Sequence, residues 1–211
     1  MTIKGLEPGN RAALLISECQ NGITNSRYND SSLVGQVADR DTIRKVAALA
    51  AQFRARNLPV VHCHVTLPQN PDGWYVNCLL AKRLVGRLAA GSIEAASHDD
   101  LPVMAGDYVS ERHHGMSPFT NTGLDAILRS HQIDTVVLSG VSTNVALFGA
   151  SIEAVGLGYK VVLAEDCSAG GTAETHQIQI SMHLPLLASI ASAEGIVAAL
   201  DAPVTRQTAT A

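Results

Sequence analysis

The sequence predicts one α/β domain, with helices on both faces of a parallel sheet. Three observations carry that prediction. Short apolar runs of strand length alternate with helical patterns from one end of the chain to the other. Runs such as Ala12–Ser17 are apolar almost throughout and read as buried strands. A chain of 211 residues with 46% hydrophobic content fills one core well and two poorly.

The elements follow in order. Ala12–Ser17 is the first strand, and Asp41 to Arg56 is a helix with Ile43, Val46, Ala47 and Ala50 on one stripe. Asn57 stops that helix, and Leu58–Val65 is the next strand. Residues 67–106 are the least regular part and hold Trp74 and two helical pieces. Tyr108–Ser110 is a short strand, Leu124–Ser130 a helix, Thr135–Ser139 a strand and Val145–Leu157 a helix. Lys160–Ala164 is a strand, His176–Leu187 a helix and Leu187–Ala191 the last strand. Six strands with intervening helices make a three-layer α/β/α, Rossmann-like domain over residues 1–211, with 202–211 a frayed tail. Ligands of such sheets bind beyond the carboxyl ends of the strands.

Several function classes are excluded early. A net charge of −4 gives no basic footprint for nucleic acid. No apolar run approaches the roughly eighteen residues of a membrane span, and no signal-peptide pattern opens the chain, so a cytoplasmic location is expected. The four cysteines (Cys19, Cys63, Cys78 and Cys167) show no paired spacing and read as free thiols. A nucleotide-binding Gly-x-Gly-x-x-Gly is missing after the first strand. No cofactor is implied; the expected partner is a small-molecule substrate.

The most informative stretch is 140–146, Gly-Val-Ser-Thr-Asn-Val-Ala. A strand that turns there directly into a helix gathers backbone N–H groups and a helix N-terminus at one point, which suits an anion. Val141, Ser142, Thr143 and Ala146 are therefore candidate substrate contacts. Glu18 ends the first strand within Glu18-Cys19-Gln20-Asn21. It reads either as a solvated carboxylate or as a proton donor beside substrate, with Gln20 next to the ligand. His62 and His64 project to one face of their strand and Cys63 to the other. The pair lines a pocket or seeds a metal site to which His113, His114 or Asp166 could add a ligand; no metal is assigned. Trp74 and Phe119 are candidate pocket walls. His176 and His183 read as packing or surface residues.

Segment 140–146 resembles the nucleophile loop of the isochorismatase-like (cysteine hydrolase) superfamily, which includes nicotinamidases and N-carbamoylsarcosine amidohydrolases. In most members Gly-Val-x-Thr-x-Val is followed by Cys; here Ala146 follows. Glu18-Cys19-Gln20-Asn21 resembles the family's Asp-x-Gln-Asn, with Glu for the acid–base Asp. Residues 109–119, with Ser117 and Phe119, resemble the family segment Lys-x-x-x-Ser-x-Phe. Counting back from Ser117 puts His113 at the Lys position; a one-residue slip absorbed at Gly115 puts Arg112 there, which is the favoured alignment. Arginine stays protonated and forks two bonds to a carboxylate, so Arg112 reads as a substrate anchor or as half of an ion pair with Glu111 or Asp107.

The resemblance spans residues 10–195. It implies the six-stranded fold, a cis peptide at Val141–Ser142 and a homo-oligomer, dimer or tetramer. With neither thiol nor Lys, the function expected is hydrolysis of a small anionic metabolite by acid catalysis from Glu18, after the precedent of isochorismatases. The alternatives are a silent binding paralogue and an amide hydrolase using a different nucleophile or an activated water.

Overall fold

The computed structural model describes residues 3–68 and 76–202. Its six strands are β1 (Ala12–Ser17), β2 (Val60–Val65), β3 (Tyr108–Arg112), β4 (Thr135–Val141), β5 (Lys160–Ala169) and β6 (Ser189–Ala191). They form one sheet in the order β3-β2-β1-β4-β5-β6, and every pairing is parallel. The order reverses between β1 and β4, so the crevice beyond their carboxyl ends is where a ligand belongs.

The helices are α1 (Asn21–Thr24), α2 (Ser32–Asp39), α3 (Thr42–Ala55), α4 (Leu79–Leu84), α5 (Leu124–Ser130), α6 (Ala146–Gly156), α7 (Ala173–Ile178) and α8 (Ala193–Leu200). Strand alternation sorts β1 between two cores. Leu14 and Ile16 pack with Val46, Leu49 and Phe53 of α3 and Ile196 of α8. Ala13 and Leu15 pack on the other face with Leu124 and Leu128 of α5 and Leu147 of α6. Each such buried leucine stabilises the fold by about 2 kcal/mol. Asn57 adopts φ 52° just past α3, the left-handed stop an asparagine tolerates.

Two elements depart most from the sequence reading. The helix expected over 176–187 is α7, then a π-turn at Gln179–His183 and a 3₁₀ turn at Leu184–Leu186. Pro185, lacking an N–H, ends regular helix there. β5 runs on to Ala169 because its register against β4 jumps between Leu138 and Gly140, a bulge that throws Glu165 and Asp166 off the ladder. Asp166 then accepts a bond from the Ala193 N–H at 2.8 Å and ties β5 to the start of α8. Helices α1, α2 and α8 are not in the sequence reading; α1 has only four residues. Of the two helical pieces expected within 67–106, α4 is described; Trp74 and the tail beyond residue 202 lie outside the described residues.

The strand ends meet most closely at Gly140, whose φ is 90°. A Cβ built there would sit 2.3 Å from the Ser17 carbonyl oxygen and 3.0 Å from the Cys19 sulfur. Both φ and space demand glycine. Gly140→Ala should therefore cost about 3 kcal/mol or more of stability, read as a lowered midpoint in urea unfolding. A shift within experimental error would mean that β1 and β4 can separate at this end.

Candidate active site

Beyond Gly140 the chain passes through a cis Val141–Ser142 peptide into the N-terminus of α6. Across the crevice Glu18 leaves β1 with φ 53°, donating its N–H to Cys63 O at 2.9 Å. That left-handed turn breaks strand alternation and brings Glu18 to the cavity. Arg112, the last residue of β3, reaches the same place from two strands away: its Nη2 donates to Glu18 Oε1 and its Nε donates to Gly115 O at 3.2 Å. The Arg112 side chain is only 2% exposed and that of Glu18 16%. Arg112 Nη1 is also buried, yet it has no hydrogen-bond partner among the described residues. A buried guanidinium with one unused N–H edge is costly unless something is meant to fill it.

Glu18 and Arg112 line a cavity of about 270 Å³, the size of a small metabolite. Its other walls are Ile23 of α1, Ser32 and Leu33 of α2, Ser142 and Val145 before α6, and a cluster from α4 and the turn after it: Leu80, Arg83, Leu84 and Arg87. The start of α6 borders the cavity, and the amides and dipole of a helix N-terminus favour negative charge. Asn144 accepts from the Gly171 N–H at 2.9 Å and Ser32 donates to Gly171 O at 2.8 Å, tying the rim together.

Of the residues singled out in the sequence, Glu18, Arg112 and Ser142 line this cavity. Others are placed elsewhere. Arg112 pairs with Glu18 instead of Glu111 or Asp107; Asp107 is held by Arg54 in a fork of 2.8 and 2.7 Å. His113 is exposed beyond the strand, its Nδ1 donating to Thr66 O at 2.7 Å, because strand alternation turns it away from the Arg112 side. His114, half-buried in the following loop, does not line the cavity either. Gln20 uses its whole amide on backbone: it donates to Val65 O and Ala95 O and accepts from the Val65 N–H, at 2.6–2.9 Å. It clamps the segment after β2 and has nothing left for a ligand. Ser117 donates to Glu153 at 2.8 Å, and Phe119 stacks on Tyr159 in the core. Val141 and Thr143 are fully buried, and Ala146 sits at 1% exposure behind Val145.

His62 and His64 do share a face, with ring centroids 6.0 Å apart, but on the far side of β2 from this cavity. His62 bonds Asp107 at 3.1 Å and His64 bonds Ser97 at 2.9 Å. Burial, reinforced by His62, pushes the His64 pKa down to about 4, so that imidazole is neutral at physiological pH. His64 borders a separate open groove with Ser97, His98 and Glu111. No group of three or more His, Cys, Asp or Glu side chains able to hold a metal ion occurs among the described residues.

The structure also joins Thr143 and His176, read separately in the sequence, to Glu165 and Arg40, which the sequence reading did not single out. Thr143 contacts His176 Nδ1 at 3.3 Å, His176 Nε2 bonds Glu165 at 3.1 Å, and Glu165 pairs with Arg40 at 2.5 Å. Burial lowers the His176 pKa against the opposing pull of Glu165, leaving a neutral bridge that fixes the loop after β4. Nothing local in the sequence joins residues 40, 143, 165 and 176. The α4 wall did carry a signal, since 80, 83 and 84 follow helical spacing; Arg87 joins them from the turn after the helix.

The Isochorismatase domain matches residues 12–195. The isochorismatase family protein YecD of Escherichia coli O157:H7 is 31% identical over 166 residues, spanning 76% of this chain and 84% of that protein. Maleamate amidohydrolase of Pseudomonas putida is 26% identical over 142 residues, 65% of this chain and 64% of that enzyme. An isochorismatase family protein of Burkholderia thailandensis superposes with a TM-score of 0.73 at 27% identity, covering 93% and 98% of the two chains. N-carbamoylsarcosine amidase of Thermoplasma acidophilum shares the fold with a TM-score of 0.69 at 24% identity, covering 87% and 97%. The same six-stranded sheet, matched along nearly all of its length, places this chain in the isochorismatase family of hydrolases, within the isochorismatase-like cysteine hydrolase superfamily.

Proposed function

We propose that this protein hydrolyses a small anionic metabolite by proton transfer at Glu18, with water as the nucleophile and no covalent thiol intermediate. The observation that carries the reading is the Glu18–Arg112 pair at the floor of the cavity, with Arg112 Nη1 unfilled beside it. A substrate carboxylate docked on Nη1 shares the guanidinium with Glu18 and sets a second negative charge close by. Glu18 then lies beside the bound molecule, placed to exchange a proton with it. For an enol ether, Glu18 would protonate the vinyl carbon, water would add to the oxocarbenium ion, and the hemiketal would collapse to a carbonyl compound and an alcohol. Glu18, left as carboxylate, takes a proton back from the water.

None of the four cysteines supplies a thiolate in place of the missing nucleophile. Cys19, Cys63 and Cys167 are buried. Burial pushes the thiols of Cys63 and Cys167 up to about 12, and that of Cys19 higher, with the Glu18 charge adding to it. Cys78 is exposed and lines no part of the cavity. Dithionitrobenzoate at pH 8 should accordingly label about one thiol rapidly in the native protein and all four only after unfolding. Rapid native labelling of a second thiol would reopen the thiolate route.

The amidohydrolase relatives support a second reading, in which Glu18 as carboxylate activates water for attack on an amide. A screen of enol ethers, cyclic amides and carbamoyl compounds separates the two by which class turns over. On whichever substrate emerges, Glu18→Gln should lower kcat by roughly a hundredfold or more with little change in binding. Full activity in that variant would remove Glu18 from the chemistry, and binding without turnover of any compound would favour a silent paralogue.

We further infer that the protein works in the cytoplasm as a homo-oligomer. No helix among the described residues is long and apolar enough to cross a membrane. Ile152 and Val155 on α6, with Met182 and Leu186 in the turns after α7, are exposed apolar side chains that a second copy could cover. Sedimentation at micromolar concentration should give a dimer or tetramer; a monomer alone would overturn the inference.

A further inference from the structure

The cavity has more positive charge than its own carboxylate can answer. Arg83, Arg87 and Arg112 line it, against Glu18 as the acid. Elsewhere in the molecule Arg40, Arg54 and Arg56 each hold a carboxylate at 2.5–2.7 Å. Arg83 and Arg87 have no such partner among the described residues. They are exposed and so stand toward the mouth, whereas Arg112 is buried at the floor.

The spacing explains how they reach one place. Leu80, Arg83 and Leu84 fall at i, i+3 and i+4 on one face of α4, and the turn through Val85 and Gly86 (φ 77°) brings Arg87 to the same cavity. Leu79 and Val85, off that face, are exposed to solvent. Leu80 and Leu84 continue the apolar surface of Ile23, Leu33 and Met116 around the middle of the cavity. Cationic floor, apolar waist and cationic mouth form one sequence along a space of about 270 Å³.

We propose that the substrate is a small dianion, with one carboxylate on Arg112 Nη1, an apolar body against Leu80 and Leu84, and a second anionic group on Arg83 and Arg87. This rests on the anionic-substrate reading above and adds to it the second charge and the residues that select for it. A guanidinium pair forks onto a carboxylate or phosphate in fixed geometry, so a compound lacking the second anion leaves Arg83 and Arg87 unused. Arg83 and Arg87 are thus specificity residues and Arg112 the common anchor.

The test uses the full-length protein and calorimetric titration at low ionic strength, where charge contacts are least screened. Two matched pairs serve as probes: isophthalate with benzoate, and glutarate with butyrate. In at least one pair the diacid should bind at least about tenfold tighter than the monoacid. The double variant R83Q/R87Q should abolish that margin while leaving monoacid affinity within about twofold, and exposed positions of this kind are replaced without loss of fold. Equal binding of diacid and monoacid in both pairs, or a margin that survives R83Q/R87Q, overturns the dianion assignment and leaves the hydrolase reading standing. Failure of all four acids to bind overturns it together with the anionic-substrate reading.

Discussion

The close approach of β1 and β4 at Gly140 is the constraint on which the rest of the site depends. With the Ser17 carbonyl 2.3 Å from where a side chain would begin, two adjacent parallel strands end against each other with no side chain between them. The chain can then leave both strands abruptly. Glu18 turns through a left-handed conformation on one side, and Val141–Ser142 turns into α6 on the other. Because the strand order reverses at this seam, the loops diverge to opposite faces and leave the crevice open between them. A wider seam would let Glu18 continue the alternation of β1 and lose the cavity.

The ion pair that fills the crevice floor is best understood as a prepared site and not as a stabilising contact. Taking a guanidinium and a carboxylate out of water costs several kcal/mol each, and their attraction offsets this only when the remaining donors are satisfied. Arg112 leaves one donor unsatisfied. Compare Arg54, whose fork onto Asp107 is supported by the Met104 N–H and His62. Burial opposes the charge on Asp107, yet these bonds outweigh it and hold its carboxyl below the usual range. Arg54 completes a structure; Arg112 on the present reading waits for a ligand to complete one.

How much of this was legible in the sequence depended on how local the signal was. The six strands and helices α3, α5 and α6 were legible because apolar runs and helical stripes are written in consecutive residues. Asn57 could be read as a helix stop for the same reason. Glu18 and Ser142 could be placed near one another because each follows a strand of a parallel sheet, whereas Arg112, with His113 as the alternative, was placed there by the family resemblance. What failed was the reading of side chains whose partners come from elsewhere. Gln20, next to Glu18, spends its amide on Val65 and Ala95, and neither neighbour announces that. His62 and His64 share a face as alternation requires, but strand order puts that face away from the cavity. The chain of Arg40, Glu165, His176 and Thr143 depends on a bulge in β5 that moves Glu165 off the ladder, and no pattern in the sequence foretells a bulge of that size.

Set beside the family pattern it resembles, the site differs at three positions, and physical chemistry links them. A thiol is a useful nucleophile only as thiolate, and a lysine near an aspartate can pass the proton that the thiol gives up. Arginine cannot, since it stays protonated throughout the working range. If Arg112, the favoured alignment over His113, takes the lysine's place, a cysteine at 146 would have no partner through which to cycle its proton. Glutamate at 18 is the complementary change: its extra methylene lets the carboxylate meet a guanidinium that extends from β3 across two strands. Alanine at 146 is buried and brings no reactive side chain to the start of α6. On the function proposed above, Glu18 and Arg112 keep charge and a proton carrier at the cavity floor, and Ala146 offers no thiol for a covalent step.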